Sequence, residues 1–258
     1  MLIKEDLERV RVLRLANPPS NVLNLGLLAA LRKEVAAARA DDGVRCLLLS
    51  SAYPRYFSTG LDLAELTSLP PDRRPEFFDG LFGLYRDLSA LPKPTLAAIS
   101  GTAFLGGWIL AMACDFRLMT PDGRVALAEI RMGFTPTPAL IGRMRRISSS
   151  PAAVKEMVLR GKTLRAQAAL AAGLVDELVA PPELEARAAS QAKALSRLSA
   201  AAYARIKAAL DEPGGGDQDE VWRRSRAEFM ELFSLPETQE GLEAMRDKRR
   251  PKWEGADV

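Results

Sequence analysis

The sequence predicts an α/β fold built on buried parallel strands, followed by an all-helical C-terminal region. Short apolar runs alternate with segments of helical periodicity, which is typical of βαβ units. Some of these runs are apolar throughout, as parallel strands covered on both faces are. Beyond Pro181-Pro182 the sequence is rich in Ala, Leu, Glu, Arg and Lys, which predicts helix alone. The 258 residues are enough for one large domain or a domain with a smaller appendage.

The first elements form a βαβ unit. Val10–Ala16 is predicted as a strand, Leu23–Ala40 as an amphipathic helix, and Val44–Leu49 as a buried strand parallel to the first. A glycine-containing turn, Tyr56–Leu63, follows the second strand and leads into a helix predicted over Leu61–Thr67. Glycine in such a turn allows the backbone to approach a ligand closely.

The stretch Ser100–Asp115 is the centre of the predicted site. It follows an amphipathic helix, Glu76–Leu91, and an apolar strand, Thr95–Ile99. Gly106-Gly107 then opens an apolar segment without a helix breaker, which predicts a turn and the start of a buried helix. The first N–H groups of a helix lack intrahelical partners, and the helix dipole favours negative charge there. The stretch can therefore hold an anion with backbone N–H groups.

A later strand brings an acid into apolar surroundings. The sequence predicts strands at Phe116–Met119 and Val125–Leu127, and the second leads directly to Glu129. Burial among apolar side chains raises the pKa of a carboxyl group, which makes Glu129 a candidate base. The remaining predicted elements are the helices Ala139–Ile147, Pro151–Leu159, Leu164–Ala172, Asp219–Phe233 and Thr238–Arg249 and the strand Leu174–Val179.

Composition excludes several classes of function. The chain has no histidine, which excludes Ser/His and Cys/His nucleophiles and most zinc sites. A formal net charge of +3 and an aromatic content of 6% do not indicate nucleic-acid binding. Cys46 and Cys114 lie in apolar segments and are expected to be buried thiols, which suits a reducing compartment. Without a signal peptide or a membrane-spanning apolar run, we expect a cytoplasmic enzyme.

Four motifs occur together in a distinctive order. They are Phe57-Ser58-Thr59-Gly60-Leu61-Asp62-Leu63, Ser100-Gly101-Thr102-Ala103 through Gly106-Gly107 to Cys114-Asp115-Phe116-Arg117, Ala169 to Gly173-Leu174-Val175-Asp176, and Glu240-Gly241-Leu242-Glu243-Ala244 ending in Lys248-Arg249-Arg250-Pro251. In this order and spacing the motifs resemble those of the crotonase superfamily, the enoyl-CoA hydratases and isomerases. The resemblance covers nearly the whole chain.

The resemblance implies both an architecture and a substrate class. It implies a crotonase-like spiral of ββα turns over residues 1–182 and an all-helical trimerisation region over residues 183–258. It also implies an acyl-CoA thioester as substrate, so that coenzyme A is part of the substrate and neither a separate cofactor nor a metal is expected. We expect a homotrimer or a dimer of trimers that binds neither nucleic acid nor a membrane.

The resemblance further implies an oxyanion hole for the thioester oxygen. By motif position its two backbone N–H donors belong to Leu61 and Gly106, which also lie in the glycine turns described above. Two preorganised donors stabilise an enolate more than the ground-state carbonyl. The residues expected to line the substrate pocket are Ile109, Thr59, Gly60, Phe104, Trp108 and Phe134.

The catalytic acids of the family indicate which reaction to expect. Its hydratases carry two glutamates, one placed three residues after the oxyanion-hole glycine and one fifteen residues after the Cys-Asp cysteine. Here these positions hold Ile109 and Glu129, so one of the two acids is replaced by an aliphatic residue. The Δ3,Δ2-enoyl-CoA isomerases look like this chain, with one glutamate and an aliphatic residue at the other position. We therefore predict that Glu129 shuttles a proton to convert a 3-enoyl-CoA into the 2-trans isomer.

Two alternatives stay open at this point. The first is an enoyl-CoA hydratase, or another thioester lyase, that uses Glu129 alone. The second is a catalytically silent acyl-CoA-binding trimer. The dienoyl-CoA isomerases of the superfamily fit less well, because they add an aspartate eight residues past the glutamate, where this chain has Thr137.

Overall fold

A computed structural model describes residues 1–211, 235–247, 249 and 251–252. The larger of two sheets in these residues has the spatial order β1-β2-β3-β5-β7-β10. Its strands are β1 (Leu2–Leu7), β2 (Val10–Leu15), β3 (Cys46–Ser51), β5 (Thr95–Ile99), β7 (Phe116–Met119) and β10 (Glu177–Leu178). Strand β1 pairs antiparallel with β2, and all other pairs in this sheet are parallel.

The smaller sheet has the order β4-β6-β8-β9. Its strands are β4 (Tyr56–Ser58), β6 (Thr102–Phe104), β8 (Arg124–Ala126) and β9 (Leu164–Arg165). Strands β4, β6 and β8 are parallel, and each follows the chain's passage through a strand of the larger sheet. The chain therefore winds repeatedly from one sheet to the other, as expected for a spiral.

Helices connect and cover the two sheets. They are α1 (Leu25–Ala40), α2 (Leu63–Ser68), α3 (Pro75–Ser89), α4 (Gly106–Ala113), α5 (Pro138–Ile147), α6 (Pro151–Arg160), α7 (Ala166–Ala171), α8 (Leu184–Ser196), α9 (Ala200–Asp211) and α10 (Pro236–Arg246), with 3₁₀ turns at Glu129–Met132 and Pro181–Glu183. Several start at capping side chains: Asn24 accepts from the Leu27 N–H at 2.7 Å and Asp62 from the Glu65 N–H at 3.0 Å. No helix of the described residues is long and apolar enough to cross a membrane.

The core lies on both faces of the larger sheet. In β3, Leu47 and Leu49 pack into the cluster that contains α1, α3 and α4, whereas Cys46 and Leu48 face α8. This explains why β3 is apolar without alternation. Both cysteines are free and buried, as predicted, and burial raises the pKa of both thiols. Since α8 covers the second face, residues 184–196 belong to the same folded body as the spiral.

Several predicted elements differ in the structure. Strand β1 was not predicted, because its three consecutive charged residues, Lys4 to Asp6, break any apolar pattern and it lies at a sheet edge. The glycine turn after β3 contains the three-residue strand β4, and β6 is another short strand within the predicted turn. The predicted helix Leu164–Ala172 begins with β9, and the predicted strand Leu174–Val179 is reduced to β10. The helix predicted over Asp219–Phe233 lies outside the described residues.

Candidate active site

The first backbone donor is the N–H of Leu61. Leu23 binds both neighbours of this residue: its N–H donates to the Gly60 oxygen at 2.8 Å, and its oxygen accepts from the Asp62 N–H at 3.1 Å. Successive N–H groups of an extended chain alternate in direction. The Leu61 N–H therefore faces away from Leu23, and it donates no hydrogen bond within the described part of the chain.

The second donor is the N–H of Gly106, the first residue of α4. It precedes the intrahelical hydrogen bonds and has no partner among the residues that the structure describes. The residue before it, Leu105, has a φ of +48°, a conformation that L side chains rarely adopt. The Leu105 N–H donates to the Ala126 oxygen at 2.9 Å, which fixes this turn against β8. The strained residue thus sets the direction of the Gly106 N–H.

The two glycine turns pack against each other through their backbones, and the Leu23 side chain lies beside them, with its Cδ1 3.0 Å from the position of a Cβ on Gly106. A Cβ added to Gly106 would lie 3.5 Å from the Leu61 nitrogen and 3.4 Å from the Gly60 Cα. A Cβ added to Gly107 would lie 2.3 Å from the Ser58 oxygen. Only glycine therefore permits this approach of α4 to the chain after β4. The approach places the two unpaired N–H groups side by side.

Glu129 lies where β8 ends and opens the 3₁₀ turn Glu129–Met132. The turn closes at Gly133, which has a φ of +74°, and the Phe134 N–H donates to the backbone carbonyl oxygen of Glu129 at 3.1 Å. The carboxylate Oε2 of Glu129 is buried and has no hydrogen-bond partner among the residues that the structure describes. Burial in turn raises the pKa of Glu129 above its usual range. A half-buried carboxylate with one buried oxygen left without a partner is suited to act as a base.

One cavity of about 90 Å³ brings the two donors and the acid together. Leu61, Gly106, Ile109, Glu129 and Phe134 all line it. Among its lining residues only Glu129 carries a charge, and Ile109 is 3% exposed. A larger cleft of about 640 Å³ lies between the ends of α3, α5 and α9, but neither glycine turn nor Glu129 lines it. The small cavity is thus the candidate active site.

Four residues predicted to line the pocket do not line this cavity. The Thr59 hydroxyl lies 3.0 Å from that of Ser20, so it is turned to the neighbouring loop. Gly60 lies behind the two donors, where a Cβ would meet the Phe104 oxygen at 3.1 Å. Phe104 therefore shapes the turn through its backbone. Trp108 is fully buried in the core.

Much of the apolar wall of the cavity was not predicted from the sequence. Helix α3 contributes Phe78 and Phe82, whose rings are 6.3 Å apart, and Phe78 lies 6.4 Å from Phe134. The periodicity of α3 indicates a buried face, but it does not show that this face also borders the site. Leu105 also lines the cavity, and its leucine side chain gave no signal of a positive φ.

Comparison with known proteins shows the family of this chain. The family model described as enoyl-CoA hydratase/isomerase matches residues 5–256, and the chain belongs to this family. It is 30% identical to carnitinyl-CoA dehydratase of Salmonella arizonae over 246 residues, covering 93% of each chain. It is 29% identical to crotonyl-CoA hydratase of Syntrophomonas wolfei over 252 residues, covering 96% of each.

Solved structures show the same fold. The crystal structure of an enoyl-CoA hydratase from Bacillus anthracis superposes with a TM-score of 0.91 at 25% identity, covering 98% of this chain and 99% of that one. Human enoyl-CoA hydratase domain-containing protein 3 superposes with a TM-score of 0.87 at 24% identity, covering 98% of this chain and 99% of that one. The protein therefore has the crotonase fold, and an acyl-CoA thioester substrate is consistent with its family.

Proposed function

We propose that the protein isomerises a 3-enoyl-CoA to the 2-trans-enoyl-CoA. One observation carries this proposal. Among the described residues that line the cavity, Glu129 is the only carboxylate, and the aliphatic Ile109 stands where the hydratases that this chain resembles carry their second glutamate. A single base is enough for a proton shift, whereas adding water across a double bond is helped by two carboxylates that hold the water.

The reaction needs one proton, moved within the substrate. The thioester oxygen accepts hydrogen bonds from the N–H groups of Leu61 and Gly106. The Glu129 carboxylate takes a proton from C2, and the electron pair of that C–H bond passes to the thioester oxygen to form a conjugated enolate. Protonated Glu129 then gives the proton to C4, a C2–C3 double bond forms, and the carboxylate is restored.

The environment of Glu129 supports this role. Removal from water raises the pKa of the carboxyl group, which makes the carboxylate a stronger base toward a carbon acid. The charge then developing on the thioester oxygen lies next to two donors that form no other hydrogen bond in the described residues. A preorganised donor of this kind contributes about 3–4 kcal/mol of transition-state stabilisation.

The test is Glu129→Gln assayed with 3-enoyl-CoA, following the absorbance of the conjugated product. We expect turnover to fall by at least about 10²–10⁴-fold, because the amide cannot accept the C2 proton. Glu76→Gln, which removes a carboxylate paired with Arg73 on the surface, is the matched control and should keep full activity. Near-normal turnover by Glu129→Gln would refute the proton shuttle.

Hydration is the second candidate, favoured by relatives that carry hydratase names. If the wild type consumes the conjugated absorbance of 2-enoyl-CoA faster than it produces it from 3-enoyl-CoA, hydration is the main activity. On our proposal the wild type hydrates weakly, and Ile109→Glu should increase hydration by supplying a second carboxylate beside Glu129. Ile109→Gln is the control, because glutamine has the bulk of glutamate without its charge. An equal effect of both variants would contradict the assignment of Ile109.

We also propose that the protein assembles as a homotrimer or a dimer of trimers in the cytoplasm, through its C-terminal helical region. Helix α9 supports this, since it leaves Ile206 and Leu210 62% and 71% exposed. Light scattering on the purified full chain measures the mass directly, and a monomer would contradict the proposal.

A further inference from the structure

A buried charge network lies beyond the C-terminal end of α4, opposite to Gly106. The Asp115 Oδ2 accepts hydrogen bonds from the Tyr203 hydroxyl at 2.9 Å, the Lys207 Nζ at 3.0 Å and the Thr95 N–H at 2.9 Å. We propose that Lys207 and Asp115 are positioning residues for the Gly106 donor, so that helix α9 sets the geometry of the oxyanion hole. This inference rests on the oxyanion hole of the proposed function.

Every donor in the network has a fixed partner. The ammonium of Lys207 has three N–H groups, and besides Asp115 they reach the Lys93 oxygen at 3.2 Å and the Thr95 hydroxyl at 3.3 Å. The side chains of Lys207 and Asp115 are only 8% and 13% exposed. Burial raises the pKa of Tyr203, which therefore donates as a neutral hydroxyl. Charges held this way cannot shift without breaking several hydrogen bonds at once.

The same end of α4 is also held by two buried arginines. Arg143 donates to the Met112 oxygen at 3.0 Å and to the Cys114 oxygen at 3.2 Å. Arg117 donates to the Cys114 oxygen at 2.7 Å. These cations occupy carbonyl groups that lack partners at a helix C-terminus. Together with Asp115, they tie the end of α4 to β7, α5 and α9.

Helix α4 can carry a displacement from this end to the hole. It has eight residues, all buried, and is about 12 Å long at about 1.5 Å per residue. A short helix enclosed by tightly packed side chains moves as a unit. An active site tolerates errors of only about 0.5 Å in the placement of its groups. Loss of the α9 contacts should therefore displace Gly106 enough to weaken its hydrogen bond to the enolate.

The experiment measures the hole without measuring turnover. Acetoacetyl-CoA loses its C2 proton to give an enolate with a characteristic absorbance, and an oxyanion hole lowers the pKa of the bound ligand. The full-length protein is titrated with this probe in a Glu129→Gln background, which removes the competing base. We expect Lys207→Met to raise the pKa of the bound probe by about one unit, a tenfold loss of enolate binding. Tyr203→Phe keeps the ion pair and should give a smaller shift in the same direction.

Two control variants separate positioning from general stability. Leu184→Ala opens a cavity between α8 and the sheet without touching α4, so it should lower the melting temperature and leave the pKa of the bound probe unchanged. Lys193→Met removes an exposed ion pair with Glu8 and should change neither the melting temperature nor the pKa of the bound probe.

The outcomes separate this inference from the proposed function. If Lys207→Met and Tyr203→Phe both bind the probe with the wild-type pKa, the positioning role is wrong even though the hole is intact. If the protein without these changes does not lower the pKa of the probe at all, the oxyanion hole itself is refuted. If Lys207→Met does not fold, the pKa of the probe bound to Tyr203→Phe decides whether the positioning role is right.

Discussion

Replacing Gly60 with alanine tests the oxyanion hole directly, because this glycine supports both donors. Gly60 has a φ of +100°, and an added Cβ would lie 2.9 Å from the Leu105 Cβ and 3.2 Å from the Gly106 nitrogen. The methyl group would thus press on the peptide that carries one donor. It would also force the residue before Leu61 out of its conformation.

The size of the effect follows from these two contributions. Holding alanine at such a φ costs about 1–3 kcal/mol of stability, which a protein with about 5–15 kcal/mol survives. Displacing one oxyanion donor costs about 2.7–4 kcal/mol in the transition state, or about 10²–10³ in kcat. Since the ground-state carbonyl gains less from these donors, we expect Gly60→Ala to lower kcat by about 10²-fold with little change in KM.

The assay compares Gly60→Ala with Gly161→Ala by steady-state kinetics on 3-enoyl-CoA and by thermal unfolding. Gly161 also has a positive φ, +61°, but a Cβ there meets only the flexible side chain of Arg131. Both variants should lose similar stability, and only Gly60→Ala should lose turnover. The reasoning is refuted if Gly60→Ala keeps kcat within about tenfold of the wild type while losing as much stability as the control.

Two further predictions concern charged groups. Burial raises the pKa of Glu129 in the folded state above its value in the unfolded state. The folded wild type therefore holds this proton more tightly, and its stability falls as the pH rises from the unfolded pKa through the folded pKa. Glu129→Gln should consequently melt at a higher temperature than the wild type at pH 7–8 and lose this advantage near pH 4. Arg117→Met should cost about 3–5 kcal/mol in urea unfolding, because it removes a donor from the Leu174 and Asp115 oxygens, one of two arginine donors from the Cys114 oxygen, and the partner of Asp176. Arg187→Met removes an exposed pair with Glu177 and should cost less than about 1 kcal/mol.

The central strands and α4 could be predicted because their signals are local. Strands β3 and β5 each contain a continuous apolar run, and adjacent glycines open α4. Of the smaller sheet, only β8 was predicted, as the strand Val125–Leu127. Strands β4, β6 and β9 could not be predicted, since strands of two or three residues form only when the spiral brings them together. Strand β1 was missed for another reason: three of its four exposed residues are charged, as is typical of a protected sheet edge.

The candidate site was only partly predictable. The resemblance placed Leu61, Gly106 and Glu129, and the structure brings all three to one cavity. The positive φ of Leu105 has no signature in the sequence, because leucine is not a residue that favours it. Two partners of Asp115, Tyr203 and Lys207, come from helix α9, far along the chain, so no local pattern in the sequence could indicate them.

The absence of histidine from the chain becomes understandable from the two ends of α4. Its N-terminal end offers N–H groups that need no proton transfer to stabilise an anion, and its C-terminal end is held by the cations Arg117 and Arg143. On the proposed mechanism, charge on the substrate is stabilised by a fixed backbone, and Glu129 carries the proton that moves. In such a site the decisive residues are those that fix the backbone. Changing Gly60 or Lys207 should therefore weaken the hydrogen bonds to the thioester oxygen, although neither residue contacts that oxygen.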